Sequence, residues 1–75
     1  MTTYKDINGD SGVLRYKINN DKIIVEFKGG SQYLYTYASA GQTHIEKMKV
    51  LAQNGDGLNS YINKYVKKQY ESKLR

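Results

Sequence analysis

The chain has 75 residues, enough for one small domain and no second one. It holds no cysteine, which excludes disulfides, Cys-ligated zinc, iron–sulfur clusters and thiol catalysis. Lys and Arg number twelve against seven Asp and Glu, a net charge of +5, and eight residues are tyrosine. Mean hydropathy is −0.75 and no long apolar run occurs, so no transmembrane span or leader is expected and the expected location is cytoplasmic.

Residues 1–12 are polar and rich in turn formers, which predicts a flexible N-terminal arm ahead of a domain over 13–75. From Val13 the pattern has period two. Leu14, Tyr16 and Ile18 share one face; Ile23, Val25 and Phe27 follow after Asn19-Asn20-Asp21; Tyr33, Tyr35 and Tyr37 follow after Gly29-Gly30-Ser31. Two short turns between three alternating runs predict a three-stranded antiparallel meander. Arg15, Lys17, Glu26, Lys28, Gln32 and Thr36 would form its wet face.

Such a sheet needs cover on its apolar side. Thr43 and Glu46 fit a capping box opening a helix over about 44–54, with Ile45, Met48, Leu51 and Ala52 on one stripe and Gly55 after its end. A second helix would carry Leu58, Tyr61, Ile62, Tyr65, Val66 and Tyr70 on one stripe, and the tail from Ser72 would fray. The expected class is α+β, a β-β-β-α-α chain with both helices on one sheet face.

Charge is unevenly spread. Residues 58–75 carry Lys64, Lys67, Lys68, Lys73 and Arg75 against Glu71 alone. A helix stripe of these cations could meet nucleic-acid phosphates, or it could be a solvated face that complements the helix dipole. Arg15, Lys17 and Lys28 form a second candidate patch. Parity puts the strand tyrosines on the apolar face, away from those charges, which weighs against a base-stacking platform unless a bulge shifts the register. Three tyrosines on one face more often build core, and their hydroxyls then need partners or an exit to water.

Signals for catalysis and metals are weak. His44 is the only histidine and is expected as an exposed first-turn side chain. Asp6, Asn8, Asp10 and Ser11 echo a calcium loop, but Ser11 replaces the required glycine and Lys17 the required glutamate, so no metal site is assigned. Gly55-Asp56-Gly57-Leu58-Asn59 precedes a helix but lacks a P-loop lysine; a C-cap followed by a tight turn explains it. No catalytic residue, cofactor or small-molecule substrate is predicted.

With these residues placed, the chain resembles the KTSC domain family, from about Ser11 to Tyr70. That family is named after a C-terminal extension of some lysyl-tRNA synthetases and also occurs as stand-alone bacterial proteins. The resemblance rests on Val25-Glu26-Phe27-Lys28-Gly29-Gly30, on Tyr33 and Tyr35 in a Tyr-x-Tyr, and on Gly55, Gly57 and Asn59 in Gly-x-Gly-Leu-Asn-Ser-Tyr-Ile. Thr36-Tyr37-Ala38-Ser39 departs from the Val-Pro common after the Tyr-x-Tyr. The resemblance implies a non-enzymatic module for which RNA binding has been suggested by association. The expected function is therefore binding of RNA or other nucleic acid through phosphates. The alternative is a protein-interaction or self-association module working through sheet edges and tyrosines.

Overall fold

The alternating runs pair as their turns direct, and the sheet then gains a short strand at each edge. In the computed structural model, which describes residues 1–9 and 11–75, five antiparallel strands lie in chain order. They are β1 (Thr2–Thr3), β2 (Val13–Ile18), β3 (Lys22–Phe27), β4 (Gln32–Thr36) and β5 (Ser72–Lys73). Three helices lie between β4 and β5: α1 (Tyr37–Ala40), α2 (Gln42–Asn54) and α3 (Leu58–Tyr61), the last continuing as a π-turn over Ile62–Val66. The class is α+β as expected, with more elements than three strands and two helices. No helix among the described residues is long and apolar enough to cross a membrane.

Register decides which side chains reach the core. Between β3 and β4, Ile23 lies opposite Tyr35 and Val25 opposite Tyr33, so the inner face is as parity requires. In β2 the register shifts between Val13 and Arg15. This bulge turns Leu14 to solvent and buries Val13 in its place, correcting the expected position of Leu14. Tyr37 also departs from the expected face. It opens α1 rather than ending a strand, and its hydroxyl donates to Glu46 Oε2 at 2.6 Å.

The expected capping box at Thr43 and Glu46 does not form, and a capping box at Thr36 opens α1. The Thr36 side chain accepts from Ser39 N–H at 3.1 Å, and the Ser39 hydroxyl accepts from Thr36 N–H at 3.0 Å. Gly41, at φ 93°, then ends α1 and starts α2 with no side-chain cap. Because this break falls ahead of Thr43, the helix has already begun at Gln42, and Glu46 is left to bind Tyr37 and Lys49. The carboxyl of Glu46 is held below its usual range, first by Lys49 and then by the Tyr37 hydroxyl.

Gly55 ends α2 in the left-handed conformation, as its position suggested. The N-terminal segment crosses here. Ile7 N–H donates to Gly55 C=O at 2.9 Å, and a Cβ on Gly55 would lie 2.5 Å from Lys5 Cβ. Tyr4 is buried, and Thr2 and Thr3 pair with Tyr16 and Arg15. Residues 2–7 thus close one sheet edge and pack on the end of α2, where the sequence suggested a loose arm.

The tail forms a strand where fraying was expected. The helical stripe stops at Val66, with Leu58, Ile62 and Val66 buried and Tyr65 exposed. The chain then turns back beside β4. Glu71 N–H donates to Leu34 C=O at 2.6 Å and Leu74 N–H to Gln32 C=O at 2.7 Å. Hydrogen-bonding groups along β4 would otherwise stand open, and pairing satisfies them better than fraying. Ile45, Met48 and Ala52 of α2 join Leu58, Ile62 and Val66 over Tyr16, Ile23, Val25 and Tyr35 in one core.

Candidate nucleic-acid interface

The helical cover ends before the sheet does. Past Val66, the inner face of the β3–β4 hairpin is faced by Tyr70, which belongs to no helix. A cleft of about 290 Å³ results. Phe27, Tyr33, Tyr35 and Tyr70 form its aromatic walls, and Asn63 and Lys67 stand at its helical side. The rings meet edge to face: Phe27 and Tyr33 with centroids 5.7 Å apart, Tyr33 and Tyr70 at 4.8 Å, Tyr35 and Tyr70 at 6.4 Å.

Tyr35 is only 1% exposed, yet its hydroxyl bonds to no group among the described residues. No fully buried side-chain oxygen or nitrogen there lacks a partner, so the hydroxyl must reach the cleft. Burial pushes the Tyr35 phenol up to about 12, with Tyr33 and Tyr70 adding to the shift. At neutral pH it is a protonated hydrogen-bond donor.

Around the hairpin tip lies a second, shallower depression, lined by Arg15, Glu26, Gly29, Gly30, Lys73 and Arg75. Glu26 projects from the outer face but is only 3% exposed. Arg15 Nε donates to one of its oxygens and Gln32 Nε2 to the other at 3.1 Å. These bonds hold its carboxyl below the usual range, the Arg15 bond first. Lys73 joins the two features: it lines the depression, and its Nζ sits 5.8 Å from the centre of the Tyr33 ring.

The cations singled out in the sequence therefore divide. Lys73 and Arg75 leave the helical segment and line one depression with Arg15 beside the hairpin. Lys67 turns to the aromatic cleft. Lys64 lies over the Tyr65 ring at 5.4 Å, and Lys68 is exposed next to Lys67. A single helical stripe of five cations does not form, because the helical segment ends at Val66. Lys17 is exposed on β2, while Lys28 Nζ lies 3.8 Å from Asp6 Oδ2.

The family-motif residues fall in two places. Tyr33 and Tyr35 line the aromatic cleft; Gly55, Gly57 and Asn59 line a polar pocket of about 190 Å³ against the N-terminal segment. Asp6, Asn8 and Ser11 reach that pocket too, with Asn8 Nδ2 donating to Asp56 Oδ1 at 2.8 Å. Asp10 of the calcium-like fragment lies outside the described residues. Among the described residues no group of His, Asp and Glu side chains could hold a metal ion.

His44 is half-buried rather than exposed. Its Nδ1 lies 2.7 Å from the Tyr61 hydroxyl, and its ring stacks on Tyr65 at 5.7 Å. Burial raises the Tyr61 phenol, and Tyr65 adds to that. Sequence reasoning missed Phe27, Asn63 and Tyr70 as site residues. Tyr70 carried a signal, since it stands a full turn beyond the dense part of its stripe. No family model, curated protein or solved structure matches the chain.

Proposed function

We propose that the protein is a non-enzymatic binding module for single-stranded RNA, held mainly through phosphates. The carrying observation is that Arg15, Lys73 and Arg75 line one depression at the hairpin tip that holds a single carboxylate, Glu26, while Lys73 also lies over the Tyr33 ring of an aromatic cleft edged by Lys67. Three cations against Glu26 leave a positive site where a phosphate chain can lie. Aromatic rings beside such a track are the pairing used by sequence-tolerant single-strand binders. The resemblance to the KTSC family, with its association with a tRNA synthetase, supports the same reading and belongs to this proposal.

The competing reading, strand recruitment at a sheet edge, draws on less. Both edges end in strands of two residues, β1 and β5, and short edge strands offer few free groups to a partner.

Fluorescence anisotropy with a labelled mixed-sequence RNA, across a salt series, tests the proposal. Three or four phosphate contacts predict a slope of log affinity on log salt of about −2 to −3. Lys73→Glu together with Arg75→Glu should flatten it, and Lys64→Glu should leave it nearly unchanged. Equal losses from both variants would sink this surface.

A further inference from the structure

The proposed RNA reading explains the cations but not the cleft. A phosphate chain needs no aromatic pocket, and a small domain gains little from leaving one open beside its core. The cleft has three features of a ligand site. Its walls are aromatic, its volume of about 290 Å³ is at the lower limit of small-molecule pockets, and it holds a polar group that has no partner among the described residues. That group is the hydroxyl of Tyr35, on a side chain almost wholly buried. Asn63, at the same cleft, adds both a donor and an acceptor. Cations stand at two sides of it: Lys67 on the helical side, and Lys73 over Tyr33 on the strand side.

We infer that the cleft receives one unstacked base of a single-stranded RNA, while the phosphates flanking that nucleotide meet Lys67 and Lys73. The inference rests on the phosphate-binding reading and adds the ligand's reading head to it. Tyr70 supplies the open ring surface, being 38% exposed, with edge contacts to the Tyr33 and Tyr35 rings. The base puts a ring face against Tyr70 and a polar edge toward the Tyr35 hydroxyl and Asn63. A protonated phenol suits a carbonyl oxygen, so the pocket favours a base edge that presents one, as uracil does. A double helix is excluded from this site, since its bases are paired and stacked.

The test compares a short labelled oligouridylate with the same ribose-phosphate backbone lacking bases, both against the unaltered protein. The base-bearing strand should bind at least about tenfold tighter, the worth of one stacked base, with the same salt slope for both strands. Tyr70→Ala should cost the oligouridylate a similar factor and leave the base-free strand unchanged, which also reports that the variant is folded. Tyr35→Phe should narrow the gap between the strands without abolishing it. Equal affinities with a retained salt slope would overturn the base in the cleft and leave the phosphate surface standing. If neither strand binds in low salt, both readings fall.

Discussion

The inner face of the sheet has two halves built from different side chains. Under α2 and α3 it is mainly aliphatic: Ile23 and Val25 from the sheet meet Ile45, Met48, Ala52 and Leu58, all with no measurable exposure. Toward the hairpin tip it is aromatic, with Phe27, Tyr33 and Tyr70 only partly covered. Aliphatic groups gain only by losing water, so they need a lid. Tyrosine tolerates an open rim, because its ring can pack while its hydroxyl reaches solvent or a ligand. The helical cover is long enough for one half, and the chain has placed at the other the residues that manage without it.

This contrast breaks most sharply under truncation. Met48→Ala should destabilise the protein by about 2–5 kcal/mol, because the transfer energy is lost and a cavity remains. Tyr70→Ala should cost about 1–2 kcal/mol, the order of two edge-to-face contacts. Urea unfolding of both variants measures the gap. If Tyr70→Ala proves the costlier, the tyrosine is core and the cleft is not an open site.

Gly55→Ala comes next, with an expected loss of about 1–3 kcal/mol from a strained left-handed residue. Its Cβ would also meet Lys5 at 2.5 Å, so the N-terminal segment must shift. The sheet edge at Thr2–Thr3 should then exchange its amide hydrogens faster, while the amides of β4 keep their protection. Unchanged exchange at the N-terminus would mean that the segment is held by Tyr4 alone.

Much of this architecture is legible from period and turn chemistry, because both act locally. Ile23, Val25, Tyr33 and Tyr35 face inward as alternation demands, and Gly55 ends its helix at the left-handed position. The departures come from contacts distant in sequence. A bulge at Leu14 trades its place with Val13, and no local pattern marks it. Thr36 caps α1, a turn that no periodicity marks, and the break at Gly41 then starts α2 ahead of Thr43. The tail pairs with β4 over a separation of about 40 residues, which propensity does not foresee. That pairing matters most for the site. It lifts Lys73 and Arg75 off the expected helical stripe and into the depression that Arg15 also lines, and it brings Tyr70 over Tyr33. The cations and Tyr33 and Tyr35 stood out in the sequence, whereas Phe27, Asn63 and Tyr70 and the grouping of all of them did not.

The smallest expected effect separates the two halves by proton rather than by packing. In the folded protein the Tyr35 phenol ionises only at about 12, against an ordinary value near 10. The folded state holds this proton more tightly than the unfolded chain. Its contribution to stability is therefore complete below pH 10 and disappears as pH rises from 10 to about 12. Tyr37 and Tyr61 are also raised, Tyr37 chiefly by its bond to Glu46 and Tyr61 by burial, so several phenols titrate late. Tyr35→Phe isolates the one in the cleft. Following tyrosinate absorbance against pH, the variant should lose the most alkaline step and keep the others, while its stability above pH 10 falls less steeply than that of the parent. An unaltered alkaline profile would place the Tyr35 hydroxyl in water, outside the aromatic walls. The cleft would then lose the buried donor that distinguishes a base-binding site from a gap in the helical cover.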